Sequence, residues 1–344
     1  MREKREETME IGYKLCSEEQ SPHELIECAR SAEEVGFSFA MISDHFHPWT
    51  SRQGQSPFVW AVIGAIAQVT ERMKIGTGVT CPTIRTHPAI IAQAAATAAA
   101  MLPGRFIFGV GAGENLNEHI LGDRWPEADV RQEMLEEAIE VIRLLWQGGQ
   151  QSHHGNYYTV ENARLYTLPD EPPPIVVAAS GLKGAELAGR IGDGMCAASP
   201  RKEMIQKYEK AGGKGKPCFG EMGVCWAENE AEARHIAHEF WPNAAIKGEL
   251  SQILPAPAHF EQAAKMVTEE EVAREIICGP DPEPHLAKLE EYADAGFDHV
   301  WVHQVGPNQE GFFRFYEQEI FPNLPQRLKA KNDRGRKARA AGGR

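Results

Sequence analysis

Short apolar runs alternate with amphipathic helical patterns along almost the whole 344-residue chain, and this alternation limits the possible folds most strongly. The first run lies at 11–15 and the last at 299–303. Runs of this length separated by helices are typical of a parallel sheet with both faces buried. Counting gives about eight strand–helix units, the number that closes a (β/α)8 TIM barrel. A doubly wound open sheet is the alternative, but no G-x-G-x-x-G follows the first strand.

Both ends of this pattern carry the same local motif, a helix that ends in glycine before a phenylalanine that enters a strand. Gly36 and Phe37 form one copy, and Gly296 and Phe297 form the other. Because glycine can adopt the left-handed conformation that closes a helix, both copies predict a helix-to-strand turn of one closed unit. The predicted organisation is a disordered leader at 1–9, a single barrel at 10–325 with insertions at about 111–129, 147–172 and 243–267, and a disordered basic tail at 326–344.

The composition is that of a soluble globular protein, with 42% hydrophobic and 25% charged residues. The net charge is −13, although residues 327–344 alone contribute about +7, which leaves about −20 on the rest of the chain. A body this acidic repels nucleic acid, and a basic tail without aromatic residues is weak evidence for nucleic-acid binding. We therefore predict no nucleic-acid partner.

The seven cysteines are unpatterned, odd in number and contain no C-x-x-C pair. Such a set favours reduced thiols in a cytoplasmic protein. The first nine residues are charged and do not form a signal peptide, and no apolar run approaches the ~18 residues of a membrane span. The prediction is a cytoplasmic protein without a membrane segment.

The second strand ends in a sequence suited to acid–base chemistry, Asp44-His45-Phe46-His47-Pro48-Trp49. Pro48 cannot continue a hydrogen-bonded ladder, so the chain must turn here. A carboxylate beside an imidazole at a strand mouth can orient the ring and fix its protonation state. The alternative is a strand end whose polar residues only solvate the turn.

Other strand ends carry polar or glycine-rich sequences that would meet at the same face of a barrel. Barrel active sites are built from residues that follow the carboxyl ends of the strands. The glycine run 109–113 lets the backbone approach a flat ligand, although a flexible turn is the alternative. In addition to the residues that follow the second strand, the candidates at the other strand ends are Glu18, Glu19, Gly78, Val79, Cys81, Glu114 and Asn117.

One further segment, Ser180-Gly181, joins a strand to a helix with small residues. The free N–H groups of a helix N-terminus bind phosphate readily. No Walker pattern accompanies the segment, so the sequence does not indicate an ATP-driven enzyme. His235 and His238 share a helical face without an H-E-x-x-H motif, and we predict no metal site.

Several segments together resemble the luciferase-like barrel superfamily, and more narrowly its branch of coenzyme F420-dependent, glucose-6-phosphate dehydrogenase-type enzymes. The combination of SDHFHPW and GVGAGENLNEH is more specific than either motif alone. The segments that carry the resemblance are IGYKLCSEEQ, ISDHFHPW, GTGVTCPTIRTHPAIIAQAAAT, GRFIFGVGAGENLNEHILGDRWP, GNYYTVENARLYTLP and AGRIGDG.

This resemblance implies a catalytic role for four residues. His45 would remove the hydroxyl proton of a sugar or alcohol while the carbon gives a hydride to the deazaflavin. Glu114 would supply a proton to the ring nitrogen, and Trp49 would stack near the reacting centre. Glu18 would complete the substrate side.

The resemblance also implies a set of cofactor contacts. Gly78-Val79 corresponds to a bulged strand end, usually with a non-prolyl cis peptide, that supports the ring. Ser180 and Gly181 would hold the coenzyme phosphate. Asp44 and Asn117 would also contact the coenzyme, and Cys81 stands where a hydroxyl residue is usual.

The substrate is less defined than the coenzyme. The second half resembles the family poorly, and Lys183, Arg201, Lys202 and Arg274 are the basic residues that could hold a substrate phosphate. A sugar, a sugar 6-phosphate and a secondary alcohol therefore all stay open. The family usually forms homodimers. An FMN-dependent monooxygenase and a non-catalytic F420-binding protein are the alternative functions.

Overall fold

The computed structural model describes residues 9–246 and 248–329, and a closed parallel barrel lies at its centre. Its strands are β1 (Glu10–Leu15), β2 (Phe39–Ile42), β3 (Lys74–Thr77), β4 (Phe106–Val110), β5 (Gln151–His154), β6 (Thr159–Ala163), β7 (Ile175–Ala178), β8 (Gly194–Ala197), β9 (Cys218–Cys225), β10 (Ile276–Cys278) and β11 (His299–Gln304). Eight of them pair in the order β1-β2-β3-β4-β7-β8-β9-β11, and β11 returns to β1. The predicted (β/α)8 fold is confirmed.

Helices surround the barrel and also cover part of its mouth. They are α1 (Pro22–Val35), α2 (Val59–Val69), α3 (Pro88–Met101), α4 (Asn115–Glu118), α5 (Ala128–Trp146), α6 (Leu182–Ile191), α7 (Lys202–Tyr208), α8 (Glu230–Phe240), α9 (Leu250–Ile253), α10 (Pro257–Ala264), α11 (Glu269–Glu275), α12 (Pro282–Ala295) and α13 (Gln309–Phe315). The alanines of α3 let α5 approach closely, and Trp146 Nε1 donates to Ala92 O at 2.9 Å. None of the helices in the described ranges is long and apolar enough to cross a membrane.

The barrel interior is packed with side chains and leaves no open channel along its axis. Phe39, Met41, Phe219 and Trp301 belong to this interior cluster, and each is at most 3% exposed. Polar groups therefore have room only at the two ends of the barrel. The carboxyl ends of all the barrel strands open at one end, which we call the mouth.

The predicted insertions and termini have the following structure. The second insertion contains the hairpin of β5 and β6, and the third contains α9 and α10. Residues 1–8 of the predicted leader and the predicted tail from 330 onward lie outside the described residues. Met9, which the sequence assigned to the disordered leader, is instead buried just before β1. Residues 326–328, assigned to the tail from the sequence, form a short 3-10 helix in which Leu328 is buried.

Both glycine motifs form left-handed helix caps. Gly36 ends α1 with φ of 113° and Gly296 ends α12 with φ of 105°. The Gly36 N–H donates to Ala32 O at 3.1 Å and so pairs one of the free carbonyl groups of the last helical turn. These caps turn the chain from a helix into the next barrel strand.

Replacing Gly36 by alanine is expected to lower the free energy of unfolding by about 1–2 kcal/mol, the cost of a left-handed alanine. An added methyl group there meets no atom within 4 Å, so backbone strain is the cause. Gly64 in α2 is the control of opposite sign, because alanine suits a helix and its methyl would lie 3.7 Å from Met101 Cε. Gly64→Ala should gain about 0.5–1 kcal/mol. Urea unfolding measures both, and an unchanged Gly36→Ala would contradict the strained cap.

Candidate active site

The adjacent strands β1 to β4 bring the predicted residues to neighbouring positions around the mouth. Glu18 follows β1, His45 follows β2, Val79 follows β3 and Glu114 follows β4. Since these strands are parallel and hydrogen-bonded in sequence order, their carboxyl ends form one continuous rim. The structure thus places the predicted catalytic groups at the same end of the barrel.

His45 and Glu18 form a buried pair at this rim. His45 Nδ1 lies 3.5 Å from Glu18 Oε1, and the Glu18 side chain is only 2% exposed. Burial by itself would raise the pKa of Glu18, but the charges of His45 and Lys14 outweigh it. With the hydrogen bond that Ser43 Oγ donates, they lower this pKa to about 2. Glu18 is therefore a carboxylate at neutral pH and can orient the imidazole.

The tautomer of His45 follows from its neighbours. Nδ1 faces two acceptors, the Glu18 carboxylate at 3.5 Å and His47 O at 3.3 Å. A neutral imidazole carries its proton on one nitrogen only, so the proton belongs on Nδ1. Nε2 is then the nitrogen that can accept a proton from a ligand.

Trp49 stands beside the imidazole and connects it with the third insertion. The Trp49 ring lies 5.1 Å from the His45 ring at 62°, and the ring of Phe260 lies 5.2 Å from Trp49. Phe260 belongs to α10 and is fully buried. The insertion therefore supplies an apolar wall that keeps water away from this side of the pair.

Asn117 ties the segment after β4 to the segment after β2. Its Oδ1 accepts the backbone N–H groups of Phe46 at 2.9 Å and His47 at 3.1 Å. Its Nδ2 is buried and has no hydrogen-bond partner among the residues that the structure describes. Because Glu114 directly precedes the same short helix α4, this side chain fixes Glu114 relative to His45. The unpartnered amide is a donor that a ligand can use.

Asp44 is held by an ionic network that the sequence did not indicate. Arg85 Nη2 donates to Asp44 Oδ1 at 2.9 Å, and Thr80 Oγ1 donates to Oδ2 at 2.8 Å. The backbone N–H of Arg85 also donates to Glu118 Oε2 at 2.9 Å. Burial raises the pKa of Glu118 to about 7, although the Arg85 charge opposes this shift. Both Asp44 oxygens are thus occupied within the protein, and the predicted coenzyme contact of Asp44 stays a prediction.

The strand end at Gly78 and Val79 has the shape that the resemblance implies. The Gly78–Val79 peptide is cis, and Val79 packs beside the interior cluster. A Cβ atom on Gly111 would lie 2.8 Å from Val79 Cγ2. Glycine at this position therefore lets the segments that follow β3 and β4 approach each other closely. Gly78 and Val79 are half-buried at the mouth, so a ligand there can contact them.

Cys81 and the segment Ser180-Gly181 differ in their accessibility. The Cys81 thiol is buried and lies 3.0 Å from Thr83 Oγ1, so it contacts the protein. Ser180 is exposed at the N-terminus of α6, where Gly181 is the N-cap without a side-chain hydrogen bond. Arg201 Nη2 donates to Ser180 O at 2.7 Å and adds a positive charge next to these helix N–H groups. The second segment is therefore the one suited to an exposed anionic group.

A second set of buried polar residues lies near Glu18. Lys14 Nζ is 3.1 Å from Glu221 Oε1, and Gly306 N–H donates to Glu19 Oε2 at 2.8 Å. Burial raises the pKa of Glu19 to about 8 and lowers that of His303 to about 4. Glu19 and His303 are therefore neutral at pH 7. Glu19 is one of the strand-end candidates of the sequence, whereas Lys14, Glu221 and His303 lie within strands.

The fold and the site together define a barrel enzyme of the luciferase-like class. The chain belongs to the luciferase-like monooxygenase family, whose profile matches residues 8–299. It is 37% identical to an F420-dependent glucose-6-phosphate dehydrogenase of Microbacterium testaceum, over 93% of this chain and 98% of that protein. A relative of the same name from Nakamurella multipartita is 36% identical, over 91% and 96%.

Among solved structures, the chain is similar to an F420-dependent secondary alcohol dehydrogenase in complex with an F420–acetone adduct. The TM-score is 0.84 at 30% identity, with 91% of this chain and 98% of that chain covered. The F420-dependent tetrahydromethanopterin reductase of Methanopyrus kandleri shares the fold, with a TM-score of 0.75 at 23% identity. The resemblance inferred from the motifs is confirmed.

Glu118→Gln is expected to remove a pH-dependent loss of stability. The raised pKa means that the folded protein favours the protonated carboxyl group of Glu118 more than the unfolded chain does. The stability of the wild type therefore falls as the pH rises from about 4.5 to about 7. Relative to wild type, the variant should gain about 2–3 kcal/mol over this window. Urea unfolding at pH 4.5 and pH 8 measures the change, with the exposed Glu34→Gln as control. If the free energies of unfolding of wild type and Glu118→Gln changed equally with pH, Glu118 would not be a buried neutral acid.

Proposed function

We propose that this chain is an F420-dependent dehydrogenase that oxidises the CH–OH group of a sugar phosphate or an alcohol. The observation that carries the proposal is the buried His45–Glu18 pair, an oriented base at the same mouth of the barrel as the end of β3. The names of the two curated relatives and of the solved alcohol dehydrogenase, all F420-dependent, support the coenzyme and the substrate class. The cytoplasmic location and the homodimer stay predictions.

The residues at the mouth fit a deazaflavin coenzyme. The Val79 surface can support a flat ring, the unpartnered Asn117 Nδ2 can donate to it, and the α6 N-terminus can bind a phosphate. Bound F420 would supply a two-electron hydride acceptor, which the protein's own side chains lack. The protein then has to place the substrate carbon and handle the protons.

His45 is the base in this proposal. The hydroxyl proton of the substrate passes to Nε2 while the two electrons of the C–H bond leave as a hydride. The ring then carries a positive charge, which the Glu18 carboxylate stabilises from the Nδ1 side at 3.5 Å. A carboxylate that orients and then stabilises an imidazolium is the arrangement found in hydrolytic triads. The low pKa of Glu18 keeps it charged throughout this cycle.

Glu114 and Trp49 complete the proposed site. Glu114 lies at the start of α4, where the Asn117 hydrogen bonds fix it relative to His45. We assign to it the second proton, held at a carboxyl oxygen on the coenzyme side. Trp49 packs edge-on against His45, and Phe260 closes the wall behind it. Excluding water in this way strengthens the electrostatic pairing of His45 and Glu18.

Two alternatives lead to different measurements. An FMN-dependent monooxygenase would bind FMN and consume oxygen. A non-catalytic coenzyme carrier would bind F420 without needing a base. The pairing of His45 with a buried carboxylate favours the dehydrogenase, because a carrier has no use for an oriented proton acceptor.

The purified chain is expected to bind F420 and not FMN, as measured by fluorescence titration. Asn117→Asp should weaken F420 binding, since it removes the Nδ2 donor while keeping an oxygen for Phe46 and His47. Asn115→Asp is the matched control, with the same change of charge on the same helix α4. Equal F420 affinity of wild type and Asn117→Asp would exclude the amide contact. Tight binding of FMN alone would favour the monooxygenase.

His45→Gln is expected to lower kcat by about 10²–10⁴ while F420 binding is retained, because the variant lacks the proton acceptor. The assay follows coenzyme reduction with a panel of sugars, sugar 6-phosphates and secondary alcohols. The control is His154→Gln, whose histidine is exposed on β5. If His45→Gln reduced the coenzyme as fast as wild type with each active substrate, the base would be misassigned. No turnover of any substrate by wild type, with F420 bound, would favour the carrier.

A further inference from the structure

Three side chains of different chemistry converge at the mouth next to Glu18. They are Cys16 directly after β1, Glu19 in the following turn, and His303 on β11, the strand paired with β1. One ligand atom of each lies within 4.8 Å of the others. Cys16 Sγ is 4.0 Å and His303 Nε2 is 3.9 Å from the same oxygen, Glu19 Oε1. We call these three residues the Cys–Glu–His cluster.

The cluster contains a polar atom that lacks a partner. His303 is 3% exposed, and its Nε2 has no hydrogen bond within the described part of the chain. Glu19 is anchored through Oε2 by the Gly306 N–H, which leaves Oε1 facing the cluster. The ring of Trp241 covers His303 edge-on at 4.5 Å. A buried ring nitrogen is costly to leave unpaired, so its position 3.9 Å from a carboxyl oxygen points to a ligand.

The surrounding charges suit a cation. The charge of Lys14 lowers the pKa of His303, and the charge of Arg52 lowers that of Glu19. Both Lys14 and Arg52, however, are already paired with a carboxylate outside the cluster. Lys14 Nζ is 3.1 Å from Glu221, and Arg52 Nε is 2.7 Å from Glu239. These two positive charges are therefore compensated, and the cluster adds a carboxyl and a thiol that a metal ion can deprotonate.

We propose that Cys16, Glu19 and His303 form a binding site for a divalent cation of the zinc class. Thiolate, imidazole and carboxylate are the ligands that zinc takes, whereas magnesium and calcium prefer oxygen alone. With bonds of about 2.0–2.3 Å, tetrahedral ligand atoms lie about 3.5 Å apart. The two separations to Glu19 Oε1, 4.0 and 3.9 Å, each have to shorten by about half an ångström, and no pair of ligand atoms starts more than 4.8 Å apart. Three protein ligands leave a fourth position for water.

This site is separate from the proposed catalytic pair in its ligands. Cys16 Sγ lies 3.4 Å from Glu18 Oε2, but both Glu18 oxygens already face other partners, Ser43 and His45. The cluster therefore offers a complete zinc ligand set without recruiting a residue of the pair. Its test needs neither coenzyme nor substrate, so it is independent of the proposed dehydrogenase activity.

Cobalt(II) is the probe, because it replaces zinc and reports its ligands by absorption. The full chain, freed of metal with a chelator, is expected to bind one equivalent of Co²⁺. The spectrum should show tetrahedral visible bands and an ultraviolet sulfur-to-cobalt charge-transfer band, and Zn²⁺ should displace the cobalt. Cys16→Ser should abolish the charge-transfer band. His303→Gln and Glu19→Gln should each weaken binding by at least about tenfold.

Cys28→Ser and His299→Gln are the matched controls, since they change a buried cysteine on α1 and a histidine at the far end of β11. Both should bind cobalt like wild type. Zinc should also raise the melting temperature of wild type and not that of Cys16→Ser. A wild-type spectrum without the charge-transfer band would overturn the proposal, even if a variant failed to fold. Full cobalt binding by His303→Gln and Glu19→Gln would overturn it as well.

Discussion

The parallel direction of the closed ring of strands is the constraint on which the rest of the structure depends. A packed interior of residues such as Phe39 and Trp301 excludes polar groups from the barrel axis. Polar side chains that follow the strands are therefore forced to the rim, and the parallel order collects them at one mouth. His45 and Glu114 meet there although they are far apart in the sequence. The site is thus a consequence of closure as much as of local sequence.

Closure brings the strand ends together, but side-chain bridges hold them in place. Asn117 accepts two backbone N–H groups of the β2 segment, and Arg85 joins Asp44 to Glu118. Burying the guanidinium costs hydration free energy, which Asp44 at 2.9 Å and the Glu118 carboxyl group at 3.7 Å offset because both are within reach. These bridges connect the segments after β2, β3 and β4. They give His45 a fixed position relative to Glu114, as the catalytic roles proposed for these two residues require.

The sequence predicts features that local chemistry determines and misses those that depend on ring closure. The bounds of helix α3 follow from local sequence, since His87 caps it, Pro88 begins it and no breaker interrupts it. Helix α7 lacks such a local signal, because its short pattern of Met204, Ile205 and Tyr208 follows no side-chain cap. The place of His303 in the site cannot be predicted from local sequence for a different reason. It becomes a neighbour of Glu19 only because β11 pairs with β1, which no window of sequence contains.

The two consecutive glutamates after β1 show how the same residue type acquires two states. Both are buried, and burial raises the pKa of each carboxyl. Glu18 faces His45 and Lys14, whose charges reverse this shift, whereas Glu19 faces a backbone N–H that does not outweigh it. One is therefore an anion and the other a neutral acid at pH 7. Environments that separate the pKa values of neighbouring groups are how enzymes assign acid and base roles. Here that separation is consistent with the two proposals, in which Glu18 orients the base and Glu19 binds a cation.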